Sequence, residues 1–315
     1  MKGGKGGLRK ERRPAEPEAG RLEELAPGLF LVHATKEARI PFAHSLLALG
    51  ERNILVDTGL GNDVIRSLRC DHEIHLVLNS HYHRDHNFGN WLFKGVPVKA
   101  HRLDAPMLNS LPVYWRKMGI VGRNDERDIR KFTLAFIPHR QGPKVGAFEN
   151  GDIFDLGGPV LEAIHLPGHS PGHCGFFHRE SRTLFSGDIG PDAFGPWYGH
   201  ACSSAEDFSS SIDRIIRLRP RLLVTAHTAP IGQDIAGSLR KYKSRIAERD
   251  RYIREVLRAP ATMDELVSRH PLYGPYLWAL KLPFRFWEEM MVRKHVARLL
   301  AQGLVRKVGR RLVAV

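Results

Sequence analysis

Between Asn79 and His86 the chain reads Asn-Ser-His-Tyr-His-Arg-Asp-His, placing three imidazoles and a carboxylate (His81, His83, Asp85 and His86) within six residues. Imidazole nitrogen and carboxylate oxygen together suit Zn, Fe or Mn. The β-branched and leucine-rich run Ile74 to Leu78 predicts a buried strand just before them. If the chain stays extended, alternation puts His81, His83 and Asp85 on one face, with His86 at the exit into a helix through Phe88, Trp91 and Leu92. Donors of the same type recur downstream. His169 lies in Pro167-Gly168-His169-Ser170-Pro171-Gly172-His173, Asp188 closes Ser186-Gly187-Asp188, and His227 follows the apolar run Leu222 to Ala226. Each follows an apolar run and precedes a turn, the pattern expected when strand ends deliver ligands to one rim. Seven such donors are too many for one tetrahedral ion. Asp57, at the end of Asn53-Ile54-Leu55-Val56, reads either as a carboxylate that orients a ligand or as a turn cap.

The elements that must position these residues follow from patterning. Short strands are expected over 29–32, 45–49, 53–56, 96–100, 160–166 and 222–226, with a hairpin pairing 175–177 and 183–185. Helices are expected through Val64 and Leu68 and over 203–218, where Phe208, Ile212, Ile215 and Ile216 form a stripe. Residues 102–143 read as an inserted helical lid with Tyr114, Trp115, Phe132 and Phe136 as its aromatics. Strands alternating with helices predict the α/β class. A long charged helix over 235–257 breaks at Ala259-Pro260. Thr262 and Glu265 form a capping-box start, and 271–283 is irregular and aromatic. A helix over 286–302 stops at Gly303, and 304–308 with 311–315 form a hairpin turning at Gly309-Arg310. The expected organisation is a disordered basic tail over 1–20, a main domain over 21–258 and a small domain over 259–315. All candidate ligands precede residue 228, so small-molecule chemistry is expected to survive a cut after Pro260.

The chain has 315 residues, 48 Lys and Arg against 34 Asp and Glu, and a net charge of +14. From residue 235 onward eighteen Lys and Arg face seven Asp and Glu, so an excess of eleven sits in the last quarter. Such a segment meets nucleic acid or an acidic partner, or it is a solvated face. No stretch reaches the length of a membrane span, and the N-terminal twenty residues lack the apolar centre of a secretory signal. Cys70, Cys174 and Cys202 are few and far apart, which argues against a disulfide framework and for a reducing, cytoplasmic setting.

His81-Tyr82-His83-Arg84-Asp85-His86, Gly168-His169, Gly187-Asp188 and His227, with Asp57-Thr58-Gly59, resemble the motifs of the metallo-β-lactamase-fold hydrolase superfamily. The resemblance covers roughly residues 22–258. Asp85-His86-Asn87-Phe88-Gly89-Asn90 is similar to the glyoxalase II-like and lactamase-B-like endoribonuclease branch. At the last ligand such proteins often carry Gly-His-Gly, where this chain has Ala226-His227-Thr228. The resemblance implies an αββα sandwich with a dinuclear site at one edge. His81, His83 and His169 would hold one metal, Asp85, His86 and His227 the other, and Asp188 would bridge, with Asp85 and Asp188 the catalytic carboxylates. It implies two divalent ions, most simply Zn, and a bridging hydroxide as nucleophile. His83 stands where diiron oxygen-reducing relatives tend to carry Glu, which favours a hydrolase. In endoribonucleases of this kind a winged helix follows the hydrolase domain, and the helices and hairpin of 259–315 resemble one.

The leading expectation is hydrolysis of a thioester or related acyl compound, because a thiolate leaves with little help from an acid. Tyr198 and His200 are the nearby candidate proton donors. One alternative is phosphodiester cleavage of RNA, with Arg293, Lys294, Arg298, Arg306, Lys307, Arg310 and Arg311 facing phosphates. A third is a non-catalytic nucleic-acid-binding or interaction protein. The expected partners are a small acyl substrate, with nucleic acid at the basic C-terminal domain as the alternative, no membrane, and a twin subunit against which the small domain could pack as a homodimer.

Overall fold

The computed structural model describes residues 18–269, 271–274 and 284–315. The basic tail expected over 1–20 lies outside the described residues except for its last three, as does most of the aromatic stretch 271–283.

Seven strands form the first sheet in sequence order: β1 (Leu22–Ala26), β2 (Leu29–Val32), β3 (Ser45–Ala48), β4 (Asn53–Val56), β5 (Ile74–Asn79), β6 (Val98–His101) and β7 (Val145–Phe148). β1 to β4 pair antiparallel and β4 to β7 parallel. The second sheet runs β12-β11-β10-β9-β8, built from β8 (Ile153–Phe154), β9 (Leu161–His165), β10 (Cys174–His178), β11 (Thr183–Phe185) and β12 (Leu222–Val224). Only the β11–β12 pair in it is parallel.

Alternation along the strands explains the layers. Leu46, Ile54, Val56, Leu76 and Leu78 turn inward, where they join Leu161, Ala163, Phe176, Phe185 and Val224 of the second sheet in one core. Their neighbours Leu47, Leu55 and Val77 turn outward against α1 (Asn62–Asp71). Ile164, Phe177, Leu184 and Leu223 turn outward against α6 (Ala205–Leu218) and α7 (Ile235–Val256). Strands buried on both faces read as near-continuous apolar runs, which is why β4 and β5 are so plain in the sequence. The result is helix, sheet, sheet, helix. β1, β7 and β8 were not expected. β8 is two residues long and its Ile153 is exposed, so no alternation announces it.

Between β6 and β7 lies the helical insertion: α3 (Ala105–Asn109), α4 (Leu111–Met118) and α5 (Glu126–Phe136). Ser110 caps α4 through the Val113 N–H. After α7 come α8 (Met263–Val267), α9 (Phe284–Ala301) and a hairpin of β13 (Val305–Val308) and β14 (Arg311–Ala314). Thr262 and Glu265 form the expected reciprocal cap. Ile253, Leu257, Leu266, Val296, Leu299 and Leu312 give this region its own apolar cluster. α9 also reaches back, because Phe286 and Met290 pack with Tyr114, Trp115, Met118 and Ile129 of the insertion.

Several basic side chains expected to face phosphates are engaged within the protein. Lys294 Nζ donates to the His200 carbonyl, Arg298 pairs with Glu206 and Asp250, Arg293 with Glu289, and Arg311 with Glu265.

Candidate metal centre

The strand before the histidine cluster ends at Asn79, earlier than alternation through Asp85 requires. The Asp57 carboxylate accepts both the Ser80 N–H (2.7 Å) and the Ser80 hydroxyl (2.6 Å) and so captures the chain as it leaves β5. Residues 81–83 then turn, and Arg84–Asn87 form a single helical turn, α2. His81, His83 and Asp85 therefore do not share one strand face. His81 and His83 go to one donor group and Asp85 and His86 to another. The helix expected through Phe88 and Leu92 is replaced by α2 and a short tight turn at Asn90–Leu92.

The first group is His81, His83, His169 and Asp188; the second is Asp85, His86, His227 and Asp188. Within each group the donor atoms lie no more than 4.8 Å apart. All seven expected residues are thus brought together, with Asp188 common to both groups. His169 Nε2 is 3.1 Å from Asp188 Oδ2, while His86 Nε2 and His227 Nε2 are 2.8 and 3.5 Å from Asp188 Oδ1. His227 Nε2 is also 3.5 Å from Asp85 Oδ2.

Four of the five rings, all but His83, are aimed by a partner on Nδ1, the arrangement that fixes tautomer and orientation at metal sites. His86 Nδ1 donates to Asp57 (2.8 Å), His169 Nδ1 to the Trp197 carbonyl (2.9 Å), and His227 Nδ1 to the Ala38 carbonyl (2.8 Å). His81 Nδ1 meets Ser80 Oγ at 3.0 Å. Asp57 performs the orienting role and sits at φ 64°, a left-handed conformation for a side-chain-bearing residue, held by these three bonds. Close approaches need glycine at two places. A Cβ on Gly59 would lie 1.9 Å from the Asp85 carbonyl, and one on Gly168, at φ 125°, would lie 2.1 Å from Phe208 N.

Burial, then the imidazole of His86 and that of His83, hold His81 well below the ordinary histidine range; burial and His169 do the same to His83. The neutral imidazole that this favours is the form that binds a cation. Burial alone would push the Asp188 carboxyl up, but His86, His227 and His169 outweigh it and hold it well below the usual carboxylate range. Nε2 of His81 and of His169 are buried with no hydrogen-bond partner among the described residues. Buried polar atoms are rarely left so. Two such nitrogens facing the Asp188 carboxylate fit a cation that takes N and O donors.

Sequence reasoning missed two positioning residues. Asp104 accepts the Tyr82 N–H (3.0 Å), the Ser170 hydroxyl (2.5 Å) and the Gly172 N–H (2.7 Å), stapling the 81–86 loop to the 168–173 loop. Its place before α3 suggests only an ordinary helix cap, yet its side chain makes no cap bond there. His173 donates from Nδ1 to the Leu166 carbonyl and accepts the Asp188 N–H on Nε2, setting the backbone of Asp188.

Of the candidate proton donors, Tyr198 points away. Its fully buried hydroxyl meets His295 Nε2 and Arg249 Nη1. His200 lies beside the first donor group, with Nδ1 3.1 Å from His83 Nε2 and 2.5 Å from the Tyr82 hydroxyl, and burial pulls its pKa down to about 3.

Both donor groups face a cavity of about 540 Å³ whose wall includes Ile40, Phe132, Phe136, Phe194, Phe284 and Trp287. Tyr273 joins them, its hydroxyl accepting the Trp197 indole N–H. The region after Pro260 thus contributes Tyr273, Phe284 and Trp287 to the wall.

A family model described as metallo-beta-lactamase superfamily matches residues 44–227. Among curated proteins, an atrochrysone carboxyl ACP thioesterase of Claviceps purpurea is 25% identical over 279 residues, 82% of this chain and 76% of its own. An acyl-coenzyme A thioesterase of Homo sapiens is 29% identical across 55% of this chain and 67% of its own. A hydroxyacylglutathione hydrolase of Haemophilus influenzae is 30% identical across 38% of this chain and 51% of its own. Among solved structures, a metallo-beta-lactamase family protein of Thermus thermophilus superposes with a TM-score of 0.70 at 21% identity, covering 93% of this chain and all of that one.

Proposed function

From the premise that this chain belongs to the metallo-β-lactamase superfamily, and is a hydrolase as its relatives are, we propose that it hydrolyses thioesters of bulky apolar acyl groups. The observation that carries this reading is the apolar cavity onto which both donor groups open. Sites for small polar substrates do not need so much aromatic wall, whereas an acyl chain is bound by burial at roughly 25 cal/mol per Å². The thioesterases among its relatives support the same substrate class.

In this reading His81, His83 and His169 would hold one cation and Asp85, His86 and His227 the second, with Asp188 a member of both donor groups. When bound, two divalent ions, zinc being the proposed identity, would lower the pKa of water and polarise a carbonyl. Asp85 and Asp188, the two carboxylates of the donor groups, are the catalytic residues in this reading. The aromatic wall excludes bulk solvent and orients the acyl group. The departing thiolate asks little of an acid, so the lack of a role for Tyr198 is no obstacle. Residues 21–258 form the domain that carries every metal donor. The segment 259–315 is a winged-helix-like appendage whose α9 walls the pocket. The three cysteines are unpaired, in keeping with a cytoplasmic setting.

The test is a rate comparison on metal-reconstituted protein across thioesters of increasing acyl size, a lactone, a β-lactam and single-stranded RNA, with metal content measured in parallel. Expected are close to two metals per chain and kcat/KM that rises with apolar acyl bulk. Faster turnover of RNA or β-lactam than of any thioester would overturn the reading.

A further inference from the structure

A second cavity, about 300 Å³, lies between α2, residues 107–114 and the loop 139–145. Its wall is mainly polar and contains no Asp or Glu, while Arg84, His139 and Arg140 give it basic groups. Arg84 and Tyr114 wall this cavity and the metal cavity alike.

Arg84 is only 7% exposed. Its Nε and Nη2 donate to the Ile137 carbonyl at 3.1 and 2.9 Å, and Nη1 lies 3.3 Å from His139 Nδ1. No carboxylate of the described residues pairs with it. A guanidinium carries five N–H groups. Capping the C-terminal end of α5 uses two and His139 a third, so two remain without a protein acceptor. A helix-end carbonyl offsets part of the cost of burying a cation, but an unpaired one remains expensive. Tyr114 is 5% exposed, and its hydroxyl has no hydrogen-bond partner among the described residues. At the mouth, Arg140 Cζ lies 4.3 Å from the centroid of the Trp91 ring, and a guanidinium over an aromatic face keeps its N–H groups for in-plane acceptors.

We propose that this cleft is an oxyanion subsite, taking a phosphate or carboxylate on Arg84 and Tyr114, with Arg140 at the entrance. The anion is carried by the thiol half of the substrate. That last step rests on the thioester reading; anion binding itself does not. A planar fork with two free N–H groups beside a phenol matches two oxygens of one anion. The walls shared with the metal cavity place that anion next to the acyl site.

The test uses full-length, metal-loaded protein and two thioesters with the same acyl group, one on a neutral thiol and one on a thiol ending in phosphate. Wild type should favour the anionic thioester by about tenfold or more in kcat/KM, mainly through KM. Arg84→Gln should bring that ratio close to one, and Tyr114→Phe and Arg140→Ala should lower it. Tyr114→Phe removes one oxygen and leaves the Arg84 bonds in place, which guards against collapse of the loop in Arg84→Gln; metal content is checked in each. A wild-type ratio near one, or a ratio that the three variants leave unchanged, overturns the substrate assignment. If neither thioester is hydrolysed, the thioester reading fails by itself. The subsite is then judged by the Arg84 Nε–H resonance during titration with inorganic phosphate and with acetate. A saturable shift absent from Tyr114→Phe supports the subsite with a free anion as its occupant, and no shift with either probe overturns it.

Discussion

His86 owes its aim to Asp57, which also fixes Ser80 and through it His81. Loss of that carboxylate frees two rings from two different donor groups. Asp57→Ala is expected to weaken metal binding by about 10–100-fold while the fold persists; competition with a chelator of known affinity, alongside circular dichroism, measures both. Lys294 offers a pH signature. Burial pulls its ammonium from 10.5 down to about 8. The folded pKa is the lower one, so between about 8 and 10.5 the unfolded chain binds more protons. Stability relative to Lys294→Met therefore rises with pH through that window, by roughly 1–2 kcal/mol after screening. Denaturant midpoints of the two proteins at pH 7.5 and 10 should converge or cross in that direction; a parallel fall would contradict it. The seven donors were legible because ligand chemistry needs His and Asp regardless of context. Asp104 was not, because its three partners come from residues 82, 170 and 172, and only folding reveals that those lie together.

Strands buried on both faces are legible in their apolar runs. The ligand loop is not, because alternation predicts extended chain past Asn79, whereas Asp57 ends the strand there by a contact across 23 residues. The lid insertion was legible as helices, yet its partner was not. Phe286 of α9 is fully buried against it, with Arg123 stacked on the ring at 5.2 Å. Phe286→Ala should cost about 3–5 kcal/mol if unfolding is cooperative. If the lid alone loosens, the loss appears instead as faster hydrogen exchange confined to α4, α5 and α9. Exchange that accelerates elsewhere but not in those helices would separate α9 from the lid.

For the molecule as a whole, the sequence suggests two modules joined at Ala259-Pro260, and the apolar cluster of the last segment supports a local core there. Shared contacts nevertheless cross that boundary. Glu288 accepts the N–H groups of Leu272 and Tyr273, Tyr273 accepts from Trp197, and the Trp197 carbonyl aims His169. A chain ending at Pro260 is expected to lose a hundredfold or more in kcat/KM on a bulky thioester, about 2.7 kcal/mol, with a smaller loss on acetyl thioesters. Equal losses on both substrates would mean that the cut damages the metal centre and not the acyl wall. Such coupling was invisible beforehand because the aromatic residues after Pro260 have no periodicity that tells a cavity wall from a local core.

Among the described residues the two sheets divide the chain cleanly: the first uses nothing beyond Phe148 and the second nothing before Ile153. Four donors (His81, His83, Asp85 and His86) lie on one side of that division, and His169, Asp188 and His227 on the other. During synthesis the first half can pair all its strands while neither donor group is complete, so assembly of the centre waits for the second half to dock. The turn at Glu149, Asn150 and Gly151 is exposed, the kind of site where a chain tolerates interruption. Co-expressed fragments 1–150 and 151–315 are expected to recombine into a metal-binding, active protein. Neither should reach two-metal stoichiometry alone, and elemental analysis of each fragment and of the reassembled pair decides it.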